Sequence, residues 1–194
     1  MSSDNAKTMK RAFDLVLAVL AGVVFLVPAL LVAVLVRLTS DGPALYWSDR
    51  VGRHNAIFRM PKFRSMRIHT PALATHLLSR PEIYLTPLGG FLRKTSIDEL
   101  PQLWSIIKGD MSFVGPRPAL YNQYDLIEMR TARGVHELTP GLTGWAQISG
   151  RDELPIRDKV ALDVEYLMKM SSLFDLKILL LTVVKVLRRD NITH

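Results

Sequence analysis

Leu15 to Val36 reads LVLAVLAGVVFLVPALLVAVLV, 22 residues without a charge. A straight helix of that length reaches roughly 33 Å, enough to cross the hydrocarbon core of a bilayer. The run is too long for a cleaved leader, and no small-x-small exit site clearly ends it. Pro28 interrupts it, removes one backbone hydrogen bond and leaves apolar arms of 13 and 8 residues. Lys7, Lys10 and Arg11 precede the run; Arg37, Arg50 and Arg53 follow it. Basic flanks mark the cytoplasmic side, and here both flanks are basic. On the residues alone two readings stay open: a kinked helix that spans, and a hairpin bent at Pro28 that enters and leaves by one face. Asp14, close after Lys10 and Arg11, reads as their ion-pair partner on the first helical turn.

The remainder is long enough for one domain with a core, at 194 residues in total. With 48% hydrophobic and 22% charged residues, intrinsic disorder is excluded as a class. The chain has no cysteine, so disulfide scaffolds, thiolate zinc sites and cysteine nucleophiles are excluded too. A net charge of +7, from 25 Lys+Arg against 18 Asp+Glu, points to an anionic partner. Nucleic acid, an anionic membrane surface and a phosphorylated substrate all qualify.

Directly after the apolar run, Arg50 to Arg67 holds six Lys/Arg and no acid, interleaved with Ile57, Phe58, Met60, Phe63 and Met66. Nucleic-acid binders show a similar mix. Beside an anchor, an interfacial segment on anionic headgroups is the preferred reading, with a strand pair bearing a solvated basic face as the alternative. Residues 68–87, punctuated by Pro71, Pro81 and Pro87, read as connecting material.

Leu100, Leu103, Trp104 and Ile107 then fall at helical spacing, with Gly109 as the stop. Pro101 is tolerated only in a first turn, which puts the helix start near Asp98. Asp98 and Glu99 are therefore adjacent carboxylates at a helix N-terminus, behind Arg93 and Lys94. Free N–H groups and nearby cations there suit a phosphate. One carboxylate can attack phosphorus and its neighbour can ligate Mg²⁺. The competing reading is a capping box, Ser96-x-x-Glu99, with no chemistry attached.

Gly115-Pro116-Arg117-Pro118 holds an arginine between two ring-restricted residues, suited to bidentate phosphate contact or to a plain tight turn. Lys108, Gly109 and Asp110 lie just ahead of that corner. In Thr139 to Arg151 the glycines permit close backbone approach. Trp145 there is a base-stacking or a core residue, and Arg151 a phosphate contact. Val160–Met170 and Leu173–Arg189 read as helices, the second suited to a membrane surface or to the core. The five histidines have no metal spacing, and no Walker, Rossmann or Gly-x-Ser-x-Gly motif is present.

These segments resemble the monotopic phosphoglycosyl transferases, bacterial enzymes that move a sugar-1-phosphate onto polyprenyl phosphate. The resemblance runs from Lys10-Arg11-Ala12-Phe13-Asp14 through Phe63-Arg64-Ser65-Met66 to Arg93-Lys94-Thr95-Ser96-Ile97-Asp98-Glu99-Leu100-Pro101-Gln102-Leu103. It continues over Lys108 to Pro118, Pro140 to Gln147 and Asp175-Leu176-Lys177. It implies an aspartyl-phosphosugar intermediate on Asp98, formed from a UDP-sugar with loss of UMP and passed to undecaprenyl phosphate. It further implies Glu99 and Asp98 as the Mg²⁺ ligands, Arg93 and Arg117 as phosphate-binding cations, and Arg151 and Asp163 as weaker candidates for the substrate pocket. The sugar expected from small family members is an N-acetylated or diamino-deoxy hexosamine. The family often has Ser before the bend proline; here Val27 removes a hydroxyl that could satisfy freed backbone groups.

The fold expected is therefore α+β and mostly helical. Residues 1–40 form a basic flank and a re-entrant membrane helix hairpin broken at Pro28. Residues 41–194 form a small cytoplasmic catalytic domain with amphipathic interfacial helices. The expected place is the cytoplasmic face of the bacterial inner membrane, with membrane lipids as partners, no nucleic acid, and a homo-oligomer left open. The chain reads as the catalytic unit alone, without the multi-span N-terminal region of larger relatives. The alternative is a membrane-anchored scaffold that keeps the fold without turnover.

Overall fold

The computed structural model describes residues 3–71, 73, 80–150 and 154–188. Helix α1 (Ser3–Thr39) is followed by an antiparallel hairpin of β1 (Leu45–Val51) and β2 (Ile57–Phe63). Short helices α2 (Gly89–Lys94) and α3 (Leu103–Lys108) lead to β3 (Ser112–Val114), then α4 (Tyr124–Ala132) and β4 (Gly141–Thr143). Helices α5 (Trp145–Ser149), α6 (Ile156–Lys169) and α7 (Ser172–Arg188) complete the chain. The α+β, mostly helical expectation stands, and among the described residues the strands form two two-stranded sheets.

Helix α1 is continuous from Ser3 to Thr39 with Pro28 inside it, so the chain is not divided into two separate helices there. Thr8–Thr39 is long and apolar enough to cross a membrane, and its most apolar window is only 6% buried in the protein. Both of its ends nevertheless rest on the rest of the chain. At the start, Lys10 Nζ donates to the Val114 carbonyl and to Asp175, and Arg11 donates to the carbonyls of Ile106 and Ile107. Ala18 is sealed in the main core with Ile106, Met111 and Ile178. At the other end Val36 packs with Phe63 and Leu92, supported by Ala29, Val32 and Ala33. Between these seats the helix shows its apolar side chains to the surroundings, Val23 at 71% and Val24 at 68% exposure.

The expected pairing of Asp14 with Lys10 and Arg11 does not form. Asp14 is buried and accepts the Phe113 N–H at 3.1 Å, a bond that anchors α1 to β3. Lys10 turns instead to Asp175, whose other oxygen accepts the buried Tyr166 hydroxyl at 2.7 Å.

The basic stretch is the hairpin. Its alternation hides Phe58 and Met60 and leaves Ile57 and Arg59 outside, so the mixture of cations and apolar residues is strand periodicity. Arg59 lies over the Trp47 ring at 5.4 Å. The loop at Arg53–Asn55 turns with His54 and Asn55 at positive φ.

Strands β3 and β4 pair in parallel, Ser112 with Gly141 and Val114 with Thr143. The turn that leaves β3 crosses the chain at β4 without room for a side chain. A Cβ on Gly115 would stand 2.4 Å from the Thr139 carbonyl oxygen, and one on Gly141 2.1 Å from the Gly115 nitrogen. Because backbone atoms on both sides must shift to admit a methyl group, Gly115→Ala should destabilise the protein by about 2–3 kcal/mol. Chemical denaturation in detergent measures this; an unchanged midpoint would contradict the close crossing.

Candidate active site

Asp98 and Glu99 lie on a 3-10 turn, Ile97–Gln102, that precedes α3 instead of opening it. Pro101 prevents α-helical hydrogen bonding through this turn, so α3 begins only at Leu103. Gly109 ends α3 in the left-handed conformation, as its position suggested. The capping box is absent: Ser96 has φ +56, its side chain makes no cap bond, and the Glu99 N–H is satisfied by the Ser96 carbonyl at 3.1 Å. The Glu99 side chain is thereby released to point elsewhere.

It meets two cations. Lys62 Nζ lies 2.8 Å and Arg117 Nη2 3.1 Å from the same carboxylate oxygen, Oε1. Lys62 comes from β2, where alternation places it on the stripe of Phe58 and Met60. Arg117 comes from the turn after β3. Arg93, at the end of α2, donates to the Met66 sulfur at 3.2 Å, and its charge acts on Asp98. The site thus gathers Asp98, Glu99, Arg93 and Arg117 from three separate segments.

The two carboxylates have opposite electrostatics. Burial pushes the Asp98 carboxyl up to about 6, against the pull of Lys62 and with help from the neighbouring Glu99 charge. Burial alone would also raise Glu99, but Lys62 and Arg117 override it and hold Glu99 well below the usual carboxylate range. Lys62 is itself pushed down by burial, partly offset by Glu99. Asp98 is 6% exposed and has no side-chain hydrogen bond among the described residues. Glu99 is a fixed charge; Asp98 is an enclosed carboxyl whose oxygens accept no hydrogen bond from the described residues.

Asp163 is not open to this site. It is 2% exposed and bound by Arg130 through Nε at 2.9 Å and Nη2 at 2.6 Å. Its link is indirect, because Arg130 Nη1 donates to the Arg117 carbonyl at 2.8 Å. Arg151 lies outside the described residues. Lys108 and Asp110 pair with each other beside the Arg11 guanidinium, at the start of α1. Trp145 is part of the core: its ring lies against Phe174 and its Nε1 donates to Glu165 at 2.9 Å. Lys62 was missed as a site residue because it stood among six cations; the Phe58-x-Met60-x-Lys62 alternation is the signal that separates it.

A divalent cation fits this donor set. Mg²⁺ is commonly held by one or two carboxylates with substrate phosphates, and Glu99 is kept ionised next to Asp98. No group of three or more acidic, histidine or cysteine side chains suited to a metal occurs among the described residues.

Residues 5–189 match the family described as "Bacterial sugar transferase". The chain is 42% identical over 184 residues to the "uncharacterized sugar transferase EpsL" of Bacillus subtilis, covering 95% of this chain and 90% of that one. It is 40% identical over 190 residues to the UDP-glucose:undecaprenyl-phosphate glucose-1-phosphate transferase of Escherichia coli, covering 92% of this chain and 40% of that protein. It is 34% identical over 209 residues to the undecaprenyl-phosphate galactose phosphotransferase of Salmonella typhimurium, covering 98% and 43%. The chain thus spans less than half the length of these last two relatives.

The charge arrangement fixes how the two acids behave on mutation. The Asp98 carboxyl lies above its ordinary 3.8, so the folded state holds that proton more tightly, and this group's contribution falls as pH rises from about 4 to about 6. For Glu99 the sign is reversed: its contribution is present above the ordinary 4.5 and is lost as pH falls. At pH 7 with chelator, Asp98→Asn should raise stability by about 1–3 kcal/mol. Glu99→Gln should lower it by about 3–5 kcal/mol, because Lys62 is left buried without its partner. Thermal denaturation of both variants decides it; equal shifts of one sign would refute the division.

Proposed function

Because the chain belongs to the bacterial sugar transferase family, we propose that it transfers a sugar-1-phosphate from a UDP-sugar to polyprenyl phosphate, of which undecaprenyl phosphate is the expected form. The observation that carries this is the enclosed pair in which Glu99 is pinned ionised by Lys62 and Arg117 while Asp98 beside it accepts no side-chain hydrogen bond from the described residues.

In the first step an Asp98 carboxylate oxygen attacks the β-phosphorus of the donor. The bond from that phosphorus to the bridging oxygen breaks, UMP leaves with the electron pair, and a phosphosugar remains on Asp98. With its carboxyl raised to about 6, Asp98 is mostly ionised only at neutral pH and above, and the described residues make no hydrogen bond that would compete for its lone pairs. Lys62, Arg93 and Arg117 hold phosphate oxygens and offset their charge. When bound by Glu99 and Asp98, Mg²⁺ neutralises further charge on the diphosphate. In the second step a phosphate oxygen of the lipid carrier attacks the same phosphorus, the acyl–phosphate bond breaks, and Asp98 returns as carboxylate. The product is the polyprenyl-diphosphate sugar, the first membrane-bound intermediate of a glycoconjugate.

The resemblance to small family members favours an N-acetylated hexosamine as the sugar, whereas the relatives above are named for glucose and galactose. The same reading puts the protein at the cytoplasmic face of the inner membrane, with α1 re-entrant. What supports re-entry is that both ends of α1 seat on one domain: Arg11 on α3, and Val36 on Phe63 and Leu92. A segment whose two ends dock on the same body does not deliver them to opposite faces of a bilayer. Exposed Phe91 and Trp104 on α2 and α3, and Leu180 and Val183 on α7, give the domain further apolar surface for the interface.

UMP release from UDP-glucose, UDP-galactose and UDP-N-acetylglucosamine, with Mg²⁺ and with or without undecaprenyl phosphate, tests the chemistry. Lipid-dependent release by the wild type and a loss of at least about 10³-fold in Asp98→Asn are expected. No release from any donor, or an unaffected mutant, would leave the anchored-scaffold reading in its place. Topology has its own test, since the chain lacks cysteine. Single cysteines at Asn5 and Asp41 should both resist an impermeant maleimide in intact cells and react after permeabilisation. Labelling of one alone from outside would mean a spanning helix.

A further inference from the structure

We propose that the buried Arg130–Asp163 pair positions the backbone of Arg117, and through it the guanidinium that meets the donor phosphates; the proposal rests on the phosphate-binding reading of Arg117. Arg130 lies in the last turn of α4 and Asp163 within α6. Packing of these helices does not require a charge, because Leu126 and Val160 form an apolar cluster with Ala119 there. Nor is a buried ion pair by itself a strong source of stability, since apolar residues of similar volume often do as well. What distinguishes this pair is where its third nitrogen goes. Two guanidinium nitrogens of Arg130 hold Asp163, and Nη1 leaves the pair to take the Arg117 carbonyl at 2.8 Å.

The neighbouring carbonyls are held as well, each from a different element. The Pro116 carbonyl accepts from the Gly141 N–H at 2.9 Å, at the start of β4. The Pro118 carbonyl accepts from Arg50 Nη1 at 3.2 Å, on β1, while Arg50 Nε is set by Ser48 at 3.0 Å. Three consecutive peptides around one arginine are therefore fixed by donors from three directions, and the prolines on either side restrict the backbone further. Asp163 keeps the Arg130 fork oriented, with Lys159 as the other cation acting on that carboxylate. An arginine whose main chain is fixed, and whose guanidinium is already drawn to Glu99, needs little further ordering when a diphosphate arrives, and small displacements of such a group are costly to rate. Arg130 and Asp163 are positioning residues; neither touches the reacting atoms.

The test is a mutant cycle on the full chain in detergent, reading UMP release from the three UDP-sugars as kcat and KM. Its corners are wild type, Arg117→Ala, Arg130→Met with Asp163→Leu, and all three changes together. The apolar pair variant is expected to melt within a few degrees of wild type and to lose about 10–100-fold in kcat/KM. Arg117→Ala is expected to lose at least as much, and the apolar pair to lose less than about threefold more when Arg117 is already gone. Should the apolar variant fail to fold, Asp163→Asn, which keeps the volume, takes its place in the cycle. Full activity of the pair variant overturns the proposal, and so do losses that multiply in the Arg117→Ala background, which would mean a role apart from Arg117. Full activity of Arg117→Ala overturns the phosphate reading and the proposal with it, a result separate from the other two.

Discussion

Two adjacent carboxylates cannot both remain charged in an enclosed place unless cations are brought to them, and that requirement organises this domain. Glu99 needs Lys62 from β2 and Arg117 from the turn after β3, segments that lie 37 and 18 residues away in sequence. Bringing them together demands that the 96–102 turn lie against the hairpin and that the 115–118 turn face both. The glycine crossing of β3 and β4 provides the second condition, since two main chains approach there as closely as hydrogen bonding allows. The result is a division of roles between neighbours. One acid is committed to fixed charge, and the other is left enclosed with its carboxyl raised.

The local chain at the site departs from regular structure to achieve this. Ser96 takes a left-handed conformation that disfavours a non-glycine residue by about 1–2 kcal/mol. Pro101 then holds the turn out of α-helical geometry, so that Asp98 and Glu99 precede the helix by several residues. The positive charge around the pair therefore comes from the side chains of Lys62, Arg93 and Arg117, not from a helix N-terminus. The first turns of α1 are equally committed to the domain: the Lys10–Asp175–Tyr166 chain and the Asp14–Phe113 bond are buried or half-buried polar contacts that a flexible tether would not have.

Much of this was legible in the residues, and the failures have identifiable causes. The apolar run, the stop at Gly109, the late helices and the rigid turn around Arg117 follow from composition, periodicity and proline chemistry, all of which are local. The carboxylate pair and its two arginines could be nominated because they carry unusual charge for their position. Ser96-x-x-Glu99 misled because a capping box and this 3-10 turn share the same spacing, and the sign of φ at Ser96 separates them. Asp14 misled because helical neighbours at i−3 and i−4 look like partners, whereas its true partner is a backbone N–H on a strand 99 residues later. The Arg130 fork left no local mark for the same reason, since its meaning lies in contacts between distant segments, whereas Lys62 carried only the weak signal of strand alternation with Phe58 and Met60.

The docking of α1 also sets an order of events in time. Lys10 and Asp14 leave the ribosome with the apolar run, yet their partners Phe113 and Val114 follow about a hundred residues later, and Asp175 165 residues after Lys10. At ordinary rates of synthesis these gaps amount to about 5–30 s. During that interval the apolar segment and its charged end are both without the protein contacts that they make in the finished fold. The docking of α1 is therefore completed late, when α7, which carries Asp175, reaches its first turns.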